Sequence, residues 1–591
     1  MAFSLDDHRD SLNDLQYEAV SYRGGPLLVQ AGPGTGKTRV LSYRIAALAA
    51  ANRESAVLAI TFTNKAASEI AERVETLAGN AVSDGRIQIG TFHSWALGFL
   101  KQYYGDQVRE VVDEADARAI LSAALKQAGI RGDVRRIHRM ISRAKQEWPV
   151  KIPDGEPDFR QYLSVYTRAM EDYGLWDFDD LILESANLLE SPENACSFRE
   201  NISAVLVDEF QDVSPAQYAL LRLMLPSDGN VTVIGDANQA IYGFRGASPK
   251  FMQAFVADFH DVRIITLGEV YRCPQIYLDA ATAVIGQAGS PRLTSCRGAG
   301  SEIIFKPHRD PASEARWIAI EIEKNVGGLS FDSMNARRAG GDDMRSLSDV
   351  AVLFRTRRIG EVVAKALFEE GIPYQLSAPP DPLEQLEIRN IWRLWEAVKG
   401  KALEYHVSRL PGKKEKWLQR LKALVPEVER YSSVQLIMMF AQWLDIDPEL
   451  PEVAGLVEAV ERNPHVESLG VLLREEVDII RSKTESVSLL TLHAAKGLEF
   501  PVVFIAGCDD GVIPWKGSPL DEEARLFYVG LTRASERLYI SYPRKRMVDG
   551  SYRHRRPSRF IRKIPQGLCI TPAIKKNVPK RTMKQRQKNL F

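Results

Sequence analysis

Two short stretches, far apart in a chain of 591 residues, carry side chains suited to phosphoryl transfer. The first is Ala31-Gly32-Pro33-Gly34-Thr35-Gly36-Lys37-Thr38, a glycine-rich turn that ends in a lysine and a hydroxyl residue. Backbone N–H groups in such a turn surround nucleotide phosphates, Lys37 reaches the β- and γ-phosphates, and the Thr38 hydroxyl enters a Mg²⁺ shell. Ala31 stands where the usual pattern has glycine, and a small residue suffices there. The second stretch is Asp208-Glu209-Phe210-Gln211-Asp212. Asp208 is assigned to the same Mg²⁺, and Glu209 to orienting and deprotonating the attacking water. Gln16 has an amide that could read an adenine edge, and Gln239 a polar side chain placed to sense a γ-phosphate. Phe244 and Arg245 offer an aromatic face and a cation suited to a nucleobase and its phosphate.

These residues need strands to hold them. Residues 27–29 are apolar like a buried parallel strand, and the segment from Arg39 continues as a helix whose N-terminus faces the turn. Residues 56–60, 87–89, 204–207 and 231–236 are further strands. They end in hydroxyl, amide, acidic and aromatic residues, such as Thr61-Phe62-Thr63-Asn64 and Thr91-Phe92-His93-Ser94, which is where open α/β sheets place ligand contacts. Residues 12–20 have the spacing of a short helix capped by Asn13 or Asp14. Residues 97–197 lose the strand signal and read as a helical insertion, with arginines clustered around 131–143. Its acids Asp177, Asp179 and Asp180 read as a solvated helix start.

Composition sets limits. The chain exceeds a single core, so several domains are expected. Lys plus Arg and Asp plus Glu both total 77, so any basic surface must be local. Residues 543–591 provide one, with sixteen Lys or Arg against the single acid Asp549, in a tail expected to be partly disordered. Five cysteines without a CxxC pair argue against a zinc or iron–sulfur site and for a reducing compartment, the cytoplasm. No run approaches the roughly 20 apolar residues of a membrane span, so no membrane partner is expected.

Gln16, residues 31–38, 61–67, Thr91-Phe92-His93-Ser94, 208–212 and 235–247 together resemble successive motifs of the superfamily 1 DNA helicases of the UvrD/Rep/PcrA type. The second half agrees. Val270-Tyr271-Arg272-Cys273 is similar to the family's Asn-Tyr-Arg-Ser, and residues 488–500 and 525–537 to its fifth and sixth motifs. The resemblance implies an α/β fold with two RecA-like P-loop NTPase motor domains, each a parallel sheet with a helical insertion. Residues 1–96 and 198–268 would form the first motor and 97–197 its insertion. Residues 269–386 and 486–542 would form the second motor, 387–485 a shortened insertion, and 543–591 the basic tail.

Carried over by residue, the resemblance implies ATP and Mg²⁺ between the motors. Tyr271 would stack on adenine, Gln16 and Arg39 contact the base, Glu499 hold the ribose, and Arg272 and Arg533 reach the γ-phosphate. Phe62, Asn64, Phe92, His93, Phe244, Arg245 and His493 match positions that line the DNA track. The implied activity is ATP-dependent movement, 3′ to 5′, on single-stranded or tailed duplex DNA, in repair, replication restart or protein displacement. Two other readings stay open. One is a motor or DNA-sensing ATPase subunit beside a partner nuclease, for instance in a defence system. The other is a nucleotide-gated DNA-binding module that switches without moving, against which the set Glu209, Gln239, Arg272 and Arg533 argues.

Several positions depart from the family pattern. The duplex-contacting Gly-Ile-Gly motif is not found, and Leu410-Pro411-Gly412-Lys413-Lys414-Glu415-Lys416-Trp417 stands near its place. Melting is opposed by stacking of about 1.4 kcal/mol per base-pair step, so a motor with a weak duplex grip translocates well and unwinds poorly. Phe244 replaces a usual tryptophan and Cys273 a serine, and residues 325–348 read as a surface loop. The final Gln587-Lys588-Asn589-Leu590-Phe591 resembles the Gln-x-x-Leu-Phe peptide that binds the bacterial sliding clamp. The alternative is a solvated basic tail that touches DNA phosphates.

Overall fold

The computed structural model describes residues 3–571 apart from 53, 227–228, 248–249, 287–291, 328–344, 377–382, 384, 400–401, 464–468, 471, 473–484 and 549. The chain divides into two compact units. The first takes in Met1–Tyr271, Gly289–Thr294 and Leu376–Glu485, and the second Arg272–Ala288, Ser295–Gln375 and Ser486–Phe591.

The first unit is built on β1 (Leu27–Ala31), β2 (Ala56–Thr61), β3 (Ile87–Thr91), β4 (Ile202–Val207), β5 (Val231–Gly235) and β6 (Arg263–Leu267). They lie in the order β3-β2-β4-β5-β1-β6, and each pairing is parallel. The strands are apolar almost without a break because both faces of the sheet are covered. Leu28, Leu58, Ile60, Val205, Val207 and Val233 face one core. Leu27, Val29, Val57, Ala59, Leu206 and Ile234 face the other. From β1 the chain crosses past β5 and β4 to reach β2, so the turn after β1 sits where the winding changes sense and a crevice opens beyond the carboxyl ends of the strands.

The second unit holds β7 (Ile303–His308), β8 (Val350–Phe354), β9 (Tyr374–Leu376), β10 (Val487–Thr491), β11 (Phe500–Ile505), β12 (Ala534–Pro543) and β13 (Cys569–Ile570). Their order is β9-β10-β8-β11-β12-β7-β13. The two sheets are the RecA-like pair that the resemblance implied. An antiparallel ribbon, Lys545–Val548 with Ser551–His554, leaves Tyr552 65% exposed. Its two arms are tied to one buried carboxylate, Asp509, which accepts from Arg546 at 2.8 Å and Arg555 at 2.6 Å.

The insertion after β3 is not wholly helical, because Glu110–Val111 pairs in parallel with Leu175–Trp176. Its acids are also not a solvated helix start. Asp177 caps the helix Phe178–Glu190, accepting the Asp180 N–H at 2.9 Å. The buried Lys145 ammonium donates to Asp177 at 2.8 Å and to Asp180 at 2.7 Å, and the Tyr166 hydroxyl donates to Asp177 at 2.7 Å. Ser142 donates to Asp179 at 2.5 Å. The compensating charge comes from the end of the helix Val134–Lys145, which is why the run of acids tolerates burial.

The second insertion packs the helices Leu386–Val398, Leu403–Ser408, Lys414–Leu424, Ser433–Leu444 and Pro451–Arg462 around Ile391, Trp395, Trp417, Leu421, Phe440 and Leu456. Residues 410–417 turn at Pro411-Gly412 and bury Trp417, whose indole N–H donates to the Pro411 carbonyl at 2.7 Å. This insertion belongs to the first unit and is joined to the first insertion. Arg393 donates to Asp116 at 2.8 Å, with side chains only 3% and 1% exposed. His406 Nε2 lies 2.7 Å from Glu110, and Tyr405 enters the core formed by Ile120, Leu121, Phe159 and Tyr166.

Asp116→Ala leaves the Arg393 guanidinium buried without its counter-charge. It is expected to destabilise the first unit by about 3–5 kcal/mol, read as a fall in its urea midpoint. The double change Asp116→Leu with Arg393→Met is expected to recover most of that loss, since it removes both charges. An unchanged midpoint in Asp116→Ala would contradict the pair's burial.

Candidate functional site

The turn after β1 is shaped around a close approach. Gly36 has φ 85°, and a Cβ there would lie 2.7 Å from Gln16 Nε2, so glycine is required on both counts. Lys37 then opens the helix Lys37–Ala51, whose first N–H groups face the turn. Its ammonium donates to the carbonyls of Ala31 at 3.1 Å and Gly32 at 3.3 Å. A phosphate oxygen is the stronger partner, because both groups are then charged. The Thr35 hydroxyl closes the turn onto the Gly32 carbonyl at 2.9 Å. Gln16 is 1% exposed, donates to the Thr35 carbonyl at 2.9 Å and accepts the Asn13 N–H at 3.1 Å. Arg39 is exposed and reaches the Ser11 carbonyl at 3.3 Å.

The acids leave the ends of β4 and β5. Asp208 is buried, and its N–H donates to the Ile60 carbonyl at 2.8 Å. Glu209 has φ 49°, a left-handed conformation that costs an L-residue roughly 1–2 kcal/mol. The cost is met where the carboxylate must leave the strand direction, and Gln211 Nε2 donates to it. Gln211 Oε1 accepts the Asp236 N–H at 2.9 Å. A Cβ on Gly235 would lie 2.5 Å from that same oxygen, so glycine lets the two strand ends meet.

Asp236 is buried and accepts from Gln239 Nε2 at 2.7 Å and the Asn238 N–H at 2.9 Å. Burial pushes its carboxyl up, opposed first by the Lys37 ammonium and then by the Gln239 and Asn238 donors. Lys37, Glu209, Gln211, Asp236 and Gln239 thus form one electrostatic group. Gln211 and Asp236 lie in stretches that the sequence marks, but neither is given a role there, although an aspartate directly after β5 repeats the pattern of Asp208 after β4. The Thr38 hydroxyl and Asp208 carboxylate are all-oxygen donors, which fits a hard divalent cation such as Mg²⁺.

Tyr271 is tied to the same turn, since its N–H donates to the Gly34 carbonyl at 2.9 Å. Its hydroxyl donates to Glu269 at 2.7 Å and accepts from Asn13 Nδ2 at 3.0 Å. Arg272, Glu499, Arg533 and His493 lie in the second unit. Arg272 and Glu499, given separate tasks by the resemblance, pair with each other at 2.5 Å. Arg533 is 1% exposed and donates to the carbonyls of Val529 at 2.9 Å and Leu498 at 3.0 Å and to the Thr532 hydroxyl at 3.1 Å. Burial pushes the Cys273 thiol up to about 11, so it is inert at neutral pH. His493 follows β10 and is half-buried.

Phe62, directly after β2, stacks on Tyr242 with ring centroids 4.8 Å apart and planes at 20°. Tyr242 meets Phe244 edge-on at 6.1 Å, and Phe244 is 64% exposed. The three rings make a stepped aromatic surface whose middle member, Tyr242, was not singled out from sequence. His93 meets Phe178 edge-on at 5.9 Å. Phe92 is buried in the core at 5% exposure, and with Phe62, Thr63, His93, Gln146 and Asp179 it lines a cavity of about 260 Å³. Asn64 is exposed at the start of the helix Asn64–Ala78, whose cap is Thr63. The Arg245 side chain, residues 328–344 of the loop and Gln587 to Phe591 lie outside the described residues.

A family model of the UvrD/REP helicase N-terminal domain matches residues 12–260. One of the UvrD-like helicase C-terminal domain matches residues 265–410 and 413–545. Similar proteins include "ATP-dependent DNA helicase PcrA" of Staphylococcus epidermidis, 29% identical over 94% of this chain and 87% of the relative. The protein of the same name from Staphylococcus aureus is 30% identical over 94% of this chain and 86% of the relative. Among the described residues no helix is long and apolar enough to cross a membrane.

Proposed function

The chain belongs to the UvrD/REP helicase family, and on that premise we propose that it is an ATP-dependent DNA helicase that moves 3′ to 5′ along single-stranded DNA. One observation carries the reading. The phosphate cradle after β1 and the stepped aromatic surface, which begins at Phe62 directly after β2, both follow the carboxyl ends of strands in one parallel sheet, so the nucleotide residues and the aromatic rings share one sheet edge.

In the proposed cycle the turn amides and Lys37 hold the β- and γ-phosphates of ATP. Gln211 aims Glu209, which takes a proton from the attacking water. A divalent ion on Thr38 and Asp208 would neutralise phosphate charge. Gln239, held by Asp236, reports the state of the γ-phosphate. Arg272 and Arg533 supply the cations that stabilise the transferring group, Arg272 by exchanging Glu499 for phosphate. Gln16, Arg39 and Tyr271 hold the base and Glu499 the ribose. Phe62, Tyr242 and Phe244 stack on successive bases, helped by Asn64, Phe92, His93, Arg245 and His493. Stacking is worth about 1–3 kcal/mol per base and is indifferent to sequence, as a motor requires.

Phe244→Ala is expected to leave ATP turnover within a few-fold of normal while the distance moved per ATP falls. Measuring strand translocation and phosphate release together checks this, and unchanged translocation removes Phe244 from the track. For unwinding, the exposed Tyr552 on its Asp509-anchored ribbon supplies an aromatic wedge against a base pair. Duplexes with a 3′ tail are expected to be opened and those with a 5′ tail left intact. The reverse preference would overturn the polarity.

The shortness of the second insertion, residues 387–485, motivates a second reading, a motor or DNA-sensing ATPase subunit that works beside a partner nuclease. Sizing the native complex tells the two apart. Gln587 to Phe591 is proposed as a sliding-clamp ligand, and five cysteines without a disulfide support a cytoplasmic setting.

A further inference from the structure

We propose that Asn13 and Glu269 are positioning residues that fix the Tyr271 ring and so set selectivity for a purine base. The inference rests on the reading of Tyr271 as the platform on which the base stacks.

Asn13 has two separate tasks. Its Oδ1 accepts the Gln16 N–H at 2.8 Å and caps the helix Asp14–Ser21, with the Gln16 side chain returning the bond in a capping box. Capping needs nothing from the amide nitrogen. Yet Nδ2 donates to Glu269 Oε2 at 3.0 Å and to the Tyr271 hydroxyl at 3.0 Å. The Tyr271 hydroxyl in turn donates to Glu269 Oε2 at 2.7 Å, which closes a triangle. Glu269 is itself held in a short strand, and the Thr294 N–H donates to the neighbouring Gly268 carbonyl at 2.9 Å.

Tyr271 is thereby fixed at both ends. Its N–H is bound to the Gly34 carbonyl of the phosphate turn, and its hydroxyl to the cap of the helix that carries Gln16. The residue as a whole is 40% exposed, which leaves part of it accessible to a ligand. A tyrosine free to turn about its side-chain torsions must be ordered when the ligand binds, and one already held pays that entropy in advance. Stacking alone accepts any base, but a larger ring system gains more from a fixed platform. Gln16 and Tyr271 share one helix N-terminus as their reference, so the ring and the Gln16 amide, which would exchange its bond to the Thr35 carbonyl for the base edge, keep their spacing. This pairing gives the site its preference for a purine nucleoside triphosphate over a pyrimidine one.

The test separates cap from platform. Asn13→Asp keeps a cap acceptor of equal quality, removes the Nδ2 donor and sets a carboxylate against Glu269. Equilibrium binding of ATP and of UTP to the full-length protein is measured with Mg²⁺ present, alongside the thermal midpoint. The ratio of the UTP and ATP Kd values is expected to fall about tenfold in Asn13→Asp, equivalent to about 1.4 kcal/mol, with at most a small fall in the midpoint from the added like charge. Glu269→Gln keeps an acceptor for the Tyr271 hydroxyl and is expected to retain most of the preference. Tyr271→Ala is the reference and is expected to lose the preference. If Tyr271→Ala retains it, the platform reading fails. If Tyr271→Ala loses it while Asn13→Asp keeps it, the positioning role is overturned. An Asn13→Asp protein that binds both nucleotides equally less well, with a lowered midpoint, also overturns it.

Discussion

Lys37→Ala is expected to reduce DNA-stimulated ATP turnover by about 10³-fold or more, with the fold retained. The magnitude follows from removing a preorganised charged donor aimed at the phosphate oxygens. The fold survives because of the group that faces Lys37. Burial already pushes the Asp236 carboxyl upward and loss of the ammonium pushes it further, but the Gln239 and Asn238 donors that hold it remain in place. The turn also keeps the bond from the Thr35 hydroxyl to the Gly32 carbonyl and the Gln16 donation to Thr35. Circular dichroism checks the fold, and phosphate release with saturating single-stranded DNA reads the turnover. A Lys37→Ala protein with unaltered turnover would remove the turn from the chemistry and with it the whole account.

Arg533→Ala is expected to bind ATP nearly as well as the parent and to turn it over about 10³–10⁵ times more slowly, the range seen when an arginine is withdrawn from a transferring phosphoryl group. The structure adds a complication. The Arg533 guanidinium holds the Val529 and Leu498 carbonyls from a site 1% exposed, so alanine also removes a structural tie at the end of the helix Leu520–Leu531. Arg533→Lys retains the charge and an aliphatic stem but lacks the planar fork. Its thermal midpoint is expected to stay closer to the parent's while turnover still falls by at least about 10²-fold. Loss of stability without loss of turnover in the two variants would assign Arg533 to the fold alone.

The sheet of the first unit was legible because each strand is a short apolar run that ends in a polar cluster, and those clusters follow from the strand ends they occupy. The turn at 31–38 and the pair Asp208 and Glu209 needed no tertiary information. What stayed hidden depends on partners far along the chain. Asp177 and Asp180 look like a solvated helix start until Lys145 is placed against them, and nothing local announces that placement. Arg393 and Asp116 lie 277 positions apart, and each alone is an ordinary surface charge in a helix. Tyr242 and Asp236 sat inside stretches already noted, yet only the stacking on Phe62 and the bond to Gln239 distinguish them from neighbours. Asn13 was legible as a cap, and its second use became visible only when Glu269 and Tyr271 were brought to it.

The central claim is that ATP consumed at the turn after β1 moves the chain along a single strand past Phe62, Tyr242 and Phe244. Stopped-flow fluorescence on single-stranded DNA of increasing length, dye-labelled at the 5′ end, tests it most directly. The account predicts an arrival signal that needs ATP, is delayed in proportion to strand length, and is absent in Lys37→Ala although that protein still binds the strand. An arrival signal independent of length, alongside DNA-stimulated ATP turnover, would contradict it.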